Sequence, residues 1–174
     1  VSCEPILYVF TLISVPTASP PPMHVSPRPP KKKIASRTLL LTPEIFSSEG
    51  GIPRILQIYL KALVDLPDPG HAVRLLSLND PAIGSSELRR CAPHGLEDWY
   101  VCNRHKPRFV RAALRLSRGC TRIICGHVAQ LPVARLARIL NPKLRYYLVA
   151  HGIEVWRPFT PFERLALRGA EKIF

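Results

Sequence analysis

The chain has 174 residues, 47% of them hydrophobic and 21% charged, which fits a globular protein with one domain of ordinary size. Its net charge is +13, and 37–174 alone hold 21 basic and 11 acidic residues. This charge suits nucleic acid, an anionic membrane surface or a phosphate-bearing substrate, and it is equally typical of solvated helix faces. The arginines are not interleaved with aromatic residues as a single-strand-binding surface requires. Nucleic acid is therefore not an expected partner.

The five cysteines exclude two further classes of protein. They are odd in number and include no C-x-x-C pair, so neither a disulfide framework nor a cysteine metal site is expected. Cys120 and Cys125 flank a predicted buried strand, where cysteine behaves as a small hydrophobic residue. A reducing, cytoplasmic compartment fits this usage best.

The first 36 residues differ from the rest. An apolar run at 6–15 is too short to cross a bilayer, which takes roughly 20 residues, and Glu4 stands where a signal peptide carries basic residues. A proline-rich stretch and the lysines 31–33 are typical of an extended, solvated linker. We predict a disordered leader over 1–36 and a folded domain over 37–174.

Short apolar runs alternate with amphipathic segments throughout 37–174, beginning with a run at 38–41 and a helical spacing of apolar residues over 52–63. Strands are predicted at 38–41, 73–78, 99–102, 121–125, 145–150 and 172–174. Helices are predicted at 52–63, near Glu87, and at 107–118, 131–140 and 161–168. This alternation predicts an α/β fold: a Rossmann-like open parallel sheet with helices on both faces. Because Phe174 falls inside a predicted strand, we expect the sheet to be incomplete at the C-terminus.

Glycines and histidines follow three of the predicted strands. Gly50 and Gly51 precede the first helix, where free backbone N–H groups and the helix dipole favour phosphate, although no G-x-G-x-x-G motif is present and turns also use such pairs. His127 and His151 each end a strand beside a glycine. A single such histidine is commonly a capping group, but two on neighbouring strands indicate a polar crevice. Neither accompanies a nucleophile elbow or a metal-ligand partner four residues away.

Four segments together resemble the N-terminal domain of the family 4 retaining glycosyltransferases, two-domain GT-B enzymes of bacterial polysaccharide and glycolipid biosynthesis. They are LLLTPEIFSSEGGIPRILQIYLKAL, IICGHVAQLPVARLAR, YYLVAHGIEVW and ERLALRGAEKIF, and the most specific element is HGIE-x-W. The resemblance covers about 37–174. It implies transfer of a hexosyl group from a nucleotide-sugar, which is a substrate, to a glycan or lipid-linked acceptor, with no metal and no cofactor.

The resemblance also implies roles for single residues. His151 would be catalytic, hydrogen-bonding the transferred sugar. Gly50, Gly51 and Arg54 would bind the donor diphosphate. His127 and Glu154 would lie on the acceptor side, with a helix-entry or surface carboxylate as the alternative for Glu154.

In this family a second domain holds most of the nucleotide-sugar, using an E-x7-E motif. Glu163 and Glu171 have that spacing, but they follow HGIE in the N-terminal half, and we interpret them as a solvated helix face. A cleft enzyme needs both walls. We therefore expect this chain to be an N-terminal fragment with no turnover alone, cytoplasmic and in peripheral contact with anionic membrane on its inner face. The alternatives are a non-enzymatic α/β partner-binding module and an unproductive gene fragment.

Overall fold

A computed structural model describes residues 36–174, which form one parallel sheet covered by helices. The strands are β1 (Ser36–Thr42), β2 (His71–Ser77), β3 (Asp98–Val101), β4 (Arg122–Cys125), β5 (Arg145–Leu148) and β6 (Lys172–Ile173). The helices are α1 (Gly51–Val64), α2 (Ser85–Cys91), α3 (Lys106–Leu116), α4 (Leu131–Leu140), α5 (Gly152–Val155) and α6 (Pro161–Leu167), with a 3-10 turn at Val128–Gln130 before α4.

The six strands lie in the order β3-β2-β1-β4-β5-β6, and every neighbouring pair is parallel. The chain first builds outward from β1 to β3, then returns to the other side of β1 and builds outward to β6. The direction of winding therefore reverses between β1 and β4. In open α/β sheets such a switch point opens a crevice at the carboxyl ends of the strands, where ligands bind. The predicted Rossmann-like parallel sheet is confirmed.

The sheet has a hydrophobic core on each face because successive strand side chains point to opposite sides. In β1, Leu39 and Leu41 pack with α3, α4 and α6, whereas Leu40 packs with α1 and α2. All three leucines are fully buried. Burial on both faces explains why β1 appears in the sequence as a continuous apolar run, and it confirms that helices cover both faces.

Most predicted elements match the observed ones within two residues, and α4 matches at both ends. Two short elements were not predicted, the 3-10 turn and α5, each beginning directly after a predicted site histidine. β1 begins at Ser36, the last residue of the predicted leader, and the rest of that leader lies outside the described residues. Within 36–174, no helix is long and apolar enough to span a membrane.

The amino edge of the sheet carries a compact network of charges. Arg37 Nε lies 2.9 and 3.0 Å from the two carboxylate oxygens of Glu97, and Arg74 Nε donates to the same group at 2.8 Å. Arg74 Nη1 also donates to the carbonyls of Leu116 and Arg118 at 2.7 and 3.0 Å. Burial alone would raise the pKa of Glu97, but the hydrogen bonds from both guanidinium groups outweigh it and lower the pKa. These contacts tie the end of α3 to β1 and β2.

Candidate functional site

Three loops leave the carboxyl edge around the switch point, and each carries predicted site residues. The loop from β1 to α1 carries Gly50 and Gly51, the loop after β4 carries His127, and the loop after β5 carries His151. β4 lies directly between β1 and β5 in the sheet. The topology therefore brings all three loops to one edge of the sheet.

The β1–α1 loop is held by a buried carboxylate that sequence reasoning missed. Asp80, fully buried just after β2, accepts backbone N–H bonds from Ile45 at 2.9 Å, Phe46 at 3.2 Å and Ser47 at 2.8 Å. The Ser77 hydroxyl donates to it at 2.5 Å. A buried carboxylate is stable when several donors surround it, and this one fixes three consecutive loop residues.

Gly50, Gly51 and Arg54 lie together at the start of α1, where they line a concavity of about 510 Å³. Gly50 has extended backbone angles that any residue adopts, and a Cβ on Gly51 would meet nothing within 4 Å. The fold itself therefore does not require glycine at either position. The first turn of α1 contains no acidic residue, and Arg54 is exposed beside it. A helix N-terminus with a neighbouring guanidinium favours an anionic group.

Gly126, at the end of β4, is a glycine that the packing does require. A Cβ there would come within 2.6 Å of Leu56 Cδ2 and 3.1 Å of the Leu41 carbonyl oxygen. The Gly126 N–H donates to that same carbonyl at 2.8 Å. The β4 turn thus lies directly against both β1 and α1.

His151 is buried and connects the β5 loop to the β4 turn. Its Nε2 lies 3.1 Å from the carbonyl oxygen of Gly126. Because a carbonyl only accepts, Nε2 carries the proton, and Nδ1 is the acceptor of the neutral ring. The side chain makes no capping hydrogen bond to α5. Burial lowers the pKa of His151, although the bond to Gly126 partly opposes this, so the neutral ring is favoured near neutral pH.

His127 has a different environment, for its ring caps the turn that follows it. Nδ1 accepts the Ala129 N–H at 3.0 Å, so the neutral ring carries its proton on Nε2, which lies 3.5 Å from Glu154 Oε1. Burial, followed by the positive field of Arg157 and the effect of His151, lowers the pKa of His127. The contact between His127 Nε2 and Glu154 Oε1 is therefore long, and the imidazole that makes it is mostly neutral.

Glu154 lies in the first turn of α5, as the helix-entry alternative predicts, but it is buried and is not a surface carboxylate. Its Oε2 accepts the Val128 N–H at 2.9 Å, while Oε1 has no hydrogen-bond donor among residues 36–174. Burial raises the pKa of Glu154, and the bond from Val128 only partly offsets it. The structure thus brings together two predicted residues, His127 and Glu154, on adjacent loops.

The pair at E-x7-E spacing does not form a common site, and the interpretation of both as a solvated helix face is wrong, because Glu163 is buried and Glu171 is exposed but lies beyond the end of α6. Glu163 is buried in the capping box of α6 with Thr160, and Arg157 donates to both of its oxygens at 2.6 and 3.0 Å. Glu171 follows α6 and pairs with exposed Arg145 at 3.2 Å. Sequence spacing alone does not show that Glu163 has a partner six residues earlier, on the N-terminal side of its helix.

His127 and the two glycines line different concavities, and His151 lines neither of them. His127 lines a second one, of about 460 Å³, which shares no lining residue with that of Gly50 and Gly51. The second also contains Gln130, which the sequence did not single out. Among residues 36–174, no three His, Cys, Asp or Glu side chains are grouped so as to hold a metal ion.

The arrangement places backbone N–H groups and the Arg54 guanidinium at the start of α1, and the buried ring of His151 between the loops after β4 and β5. No protein-family model matches the chain, and no curated protein matches its sequence.

Proposed function

We propose that residues 37–174 form the acceptor-side domain of a retaining glycosyltransferase, which moves a hexosyl group from a nucleotide-sugar to a glycan or lipid-linked acceptor. The observation that carries the proposal is the position of three loops at one switch point, with Gly50, Gly51, His127 and His151 at the carboxyl edge. The motif HGIE-x-W stands at the end of β5 in this arrangement.

The start of α1 supports a role in binding the donor diphosphate. Gly50 and Gly51 leave the backbone open to a ligand, Arg54 supplies a charge, and Asp80 holds the preceding residues in place. A preorganised loop loses little conformational entropy when a ligand binds. The donor diphosphate, a dianion, would gain from both the helix dipole and the guanidinium, which must outweigh the Glu49 carboxylate that lines the same concavity.

His151 supports a role next to the transferred sugar. Its Nε2 is engaged by the Gly126 carbonyl, which fixes the plane of the ring and leaves Nδ1 as an acceptor. A sugar hydroxyl donates readily to such a nitrogen. Because the neutral ring is favoured, this hydrogen bond does not depend on removing a proton from an imidazolium at neutral pH.

The test is an assay of sugar transfer by the protein encoded by the complete open reading frame that contains this sequence. A panel of UDP-, GDP- and ADP-sugars is supplied with extracted polysaccharide and lipid acceptors, and product is detected by mass spectrometry. His151→Ala should lower the transfer rate by about 100-fold, as expected when a positioned group at the reacting centre is lost. His94→Ala, which changes an exposed histidine, should leave the rate unchanged.

The anomeric configuration of the product, read by NMR, must match that of the donor. Inversion would contradict the retaining mechanism. Full activity in a folded His151→Ala variant would remove His151 from the mechanism. Absence of transfer with every donor, for a protein that instead captures a macromolecular partner, would favour the non-enzymatic module.

A further inference from the structure

A further concavity, of about 270 Å³, lies at the outer edge of the sheet between β3 and α3. Its size is near the lower limit of small-molecule sites, so it fits one charged group better than a whole cofactor. It shares no lining residue with the two concavities at the carboxyl edge. We call it the arginine concavity, and its lining consists of Tyr100, Arg108, Arg111, Ala112 and Arg115.

The helical repeat of α3 explains why three arginines meet at this place. Arg108, Arg111 and Arg115 are spaced at i, i+3 and i+7, which puts them on one face of the helix. Ala112 lies between them and is nearly fully buried, so its small side chain leaves room for the guanidinium groups to surround a ligand. Arg115 Cζ lies 5.6 Å from the centre of the Tyr100 ring, a cation–π contact that orients this guanidinium.

The charges of the arginine concavity are not balanced by carboxylates. Within 36–174, none of its three guanidinium groups has a carboxylate oxygen within 4.0 Å, whereas exposed Arg145 is paired with Glu171 at 3.2 Å. Asp98 lies two residues before Tyr100 in β3, but it does not line the concavity. Like charges on neighbouring turns of a helix repel one another. A bound anion would relieve this repulsion.

The arrangement selects among anions by their charge and by their number of acceptor oxygens. A carboxylate has one charge and two oxygens, so a single arginine fork satisfies it. A sulfate ester or a phosphodiester also carries only one charge. A phosphomonoester carries close to two negative charges near neutral pH and has three acceptor oxygens. All three planar guanidinium groups can therefore donate to it at once.

We propose that the arginine concavity binds a phosphomonoester group, with Arg108, Arg111 and Arg115 each donating to its oxygens. The group belongs to a soluble molecule or to a lipid headgroup, which present the same chemistry. The site lies at the outer edge of the sheet rather than at the switch point, and it is separate from the concavity of Gly50 and Gly51. The proposal does not depend on sugar transfer.

The test titrates methyl phosphate into the 174-residue chain at low salt and about pH 7, where most of the phosphomonoester is a dianion. The side-chain Nε–H signals of the arginines are followed by ¹⁵N NMR, and the three arginines of the concavity should show saturable shifts. The double variant Arg108→Gln/Arg111→Gln should weaken binding at least about tenfold. The double variant Arg108→Lys/Arg111→Lys keeps the charge but loses the planar forks, and it should weaken binding at least about threefold.

The matched control is Arg89→Gln/Arg90→Gln, which removes the same charge from exposed positions of α2 and should change the affinity less than about twofold. All four of these arginines are exposed, and none has a carboxylate partner in the part of the chain that the structure describes. Each variant should therefore fold, which the backbone NMR spectrum checks. Methyl sulfate, with a similar shape and only one charge, should bind more weakly than methyl phosphate.

The proposal is overturned if methyl phosphate shifts none of the three arginine signals, or if methyl sulfate binds as tightly. It is also overturned if the lysine variant binds unchanged, or if the two glutamine variants lose affinity equally, because general charge would then explain the binding.

Vesicles identify the source of the group once methyl phosphate is found to bind. Phosphatidic acid presents a phosphomonoester at the vesicle surface, and phosphatidylglycerol presents a phosphodiester. Retention on phosphatidic acid in preference to phosphatidylglycerol, with release by methyl phosphate, assigns the group to a lipid headgroup. Absence of this preference assigns it to a soluble molecule, and either result supports the site. Since no nucleotide-sugar is present, sugar transfer by the complete enzyme succeeds or fails independently.

Discussion

The two edges of the sheet differ in how their charged and amide side chains are paired. At the amino edge, the partly exposed side chains of Arg37, Arg74 and Glu97 pair with one another, and Arg74 also bonds the Leu116 carbonyl at the end of α3 and the Arg118 carbonyl just after it. At the carboxyl edge, the amide of Gln130 has no hydrogen-bond partner among residues 36–174, and Glu154 Oε1 has only the long contact of 3.5 Å with His127 Nε2. Unpaired buried groups lower stability, and this amide and carboxylate oxygen lie at the edge where ligands bind in open α/β sheets.

The contrast concerns charged groups and amides rather than every polar atom. On the amino half, the Thr38 hydroxyl and one ring nitrogen of His71 also lack partners within the described part of the chain. Both residues otherwise bond through their backbones in the β1–β2 ladder. Conversely, Asp80 at the carboxyl edge is fully paired. At the carboxyl edge, the paired Asp80 thus holds the β1–α1 loop, whereas groups without a hydrogen bond lie near the loop after β4.

The largest effect is expected at Asp80, the paired group of the carboxyl edge. Asp80→Ala removes the acceptor of one buried and two part-buried backbone N–H groups and of the buried Ser77 hydroxyl, so the free energy of unfolding should fall by about 3 kcal/mol. Urea denaturation measures this. Asp68→Ala, at an exposed turn where the side chain accepts the Gly70 N–H at 2.9 Å and the Ser36 hydroxyl at a long 3.5 Å, should cost less than about 1 kcal/mol. Equal losses for the two variants would show that Asp80 does not support the loop.

The next test addresses the amino edge. Arg74→Met keeps the apolar stem but removes the bonds to Glu97 and to the end of α3, so unfolding should become easier by about 2 kcal/mol. Exposed Arg122→Met, at the start of β4, is the matched control and should change stability by less than about 0.5 kcal/mol. If Arg74→Met left the free energy of unfolding unchanged, the comparison would fail, because the pairing of these side chains would then contribute nothing to stability at the amino edge.

A third test uses pH to probe the ion pair between Arg157 and Glu163, which lies in α6 and the segment before it. The hydrogen bonds from Arg157 outweigh burial and lower the pKa of Glu163 from 4.5 to about 2. A lowered folded-state pKa stabilises the protein above about pH 4.5, and that contribution is lost as the pH falls toward 2. Because the Arg157 side chain is 43% exposed and water screens the pair, we expect Glu163→Gln to cost about 1.5 kcal/mol at pH 7.

Denaturation of Glu163→Gln and wild type between pH 7 and about pH 2 should show the two curves converging at the acid end. Glu171→Gln removes the exposed pair with Arg145 and should follow wild type throughout. A constant difference between Glu163→Gln and wild type would rule out titration of Glu163 as the cause.

The smallest effect is a gain in stability. Gln130→Leu removes an unpaired amide and should raise the free energy of unfolding by about 1 kcal/mol. Gln57→Leu is the same change at a paired amide, whose Nε2 donates to the Ile45 carbonyl at 2.7 Å, and should lower stability by about 1 kcal/mol. If pairing of the amide decides stability, calorimetry should show changes in the free energy of unfolding of opposite sign for the two variants. A loss for Gln130→Leu would mean that the amide is satisfied in the free protein.

The sequence predicts the framework of this fold well because the framework depends on local patterns. The apolar run of β1 and the helical spacing of α1 identify their elements directly. α5 was missed because four residues are too few for a periodic signal. The histidines were placed correctly at strand ends, but their different hydrogen bonds depend on contacts between loops.

Two residues near the candidate site could not be predicted from local sequence patterns. Asp80 binds N–H groups more than thirty residues earlier, and nothing local in Leu78-Asn79-Asp80 distinguishes it from an ordinary turn aspartate. Gln130 is defined by partners it lacks, which only a folded structure can reveal. Glu154 was selected through its motif alone, and its burial came from packing between two loops.

The close approach at Gly126 has a consequence for sequence variation. The space that a Cβ would fill is occupied by Leu56, and the carbonyl of the same glycine holds His151. A side chain at position 126 would therefore demand a smaller residue at 56, and any shift of the turn would carry the imidazole with it. In sequences related to this one, positions 56 and 126 should covary, and the histidine should be retained only where their combined volume is unchanged.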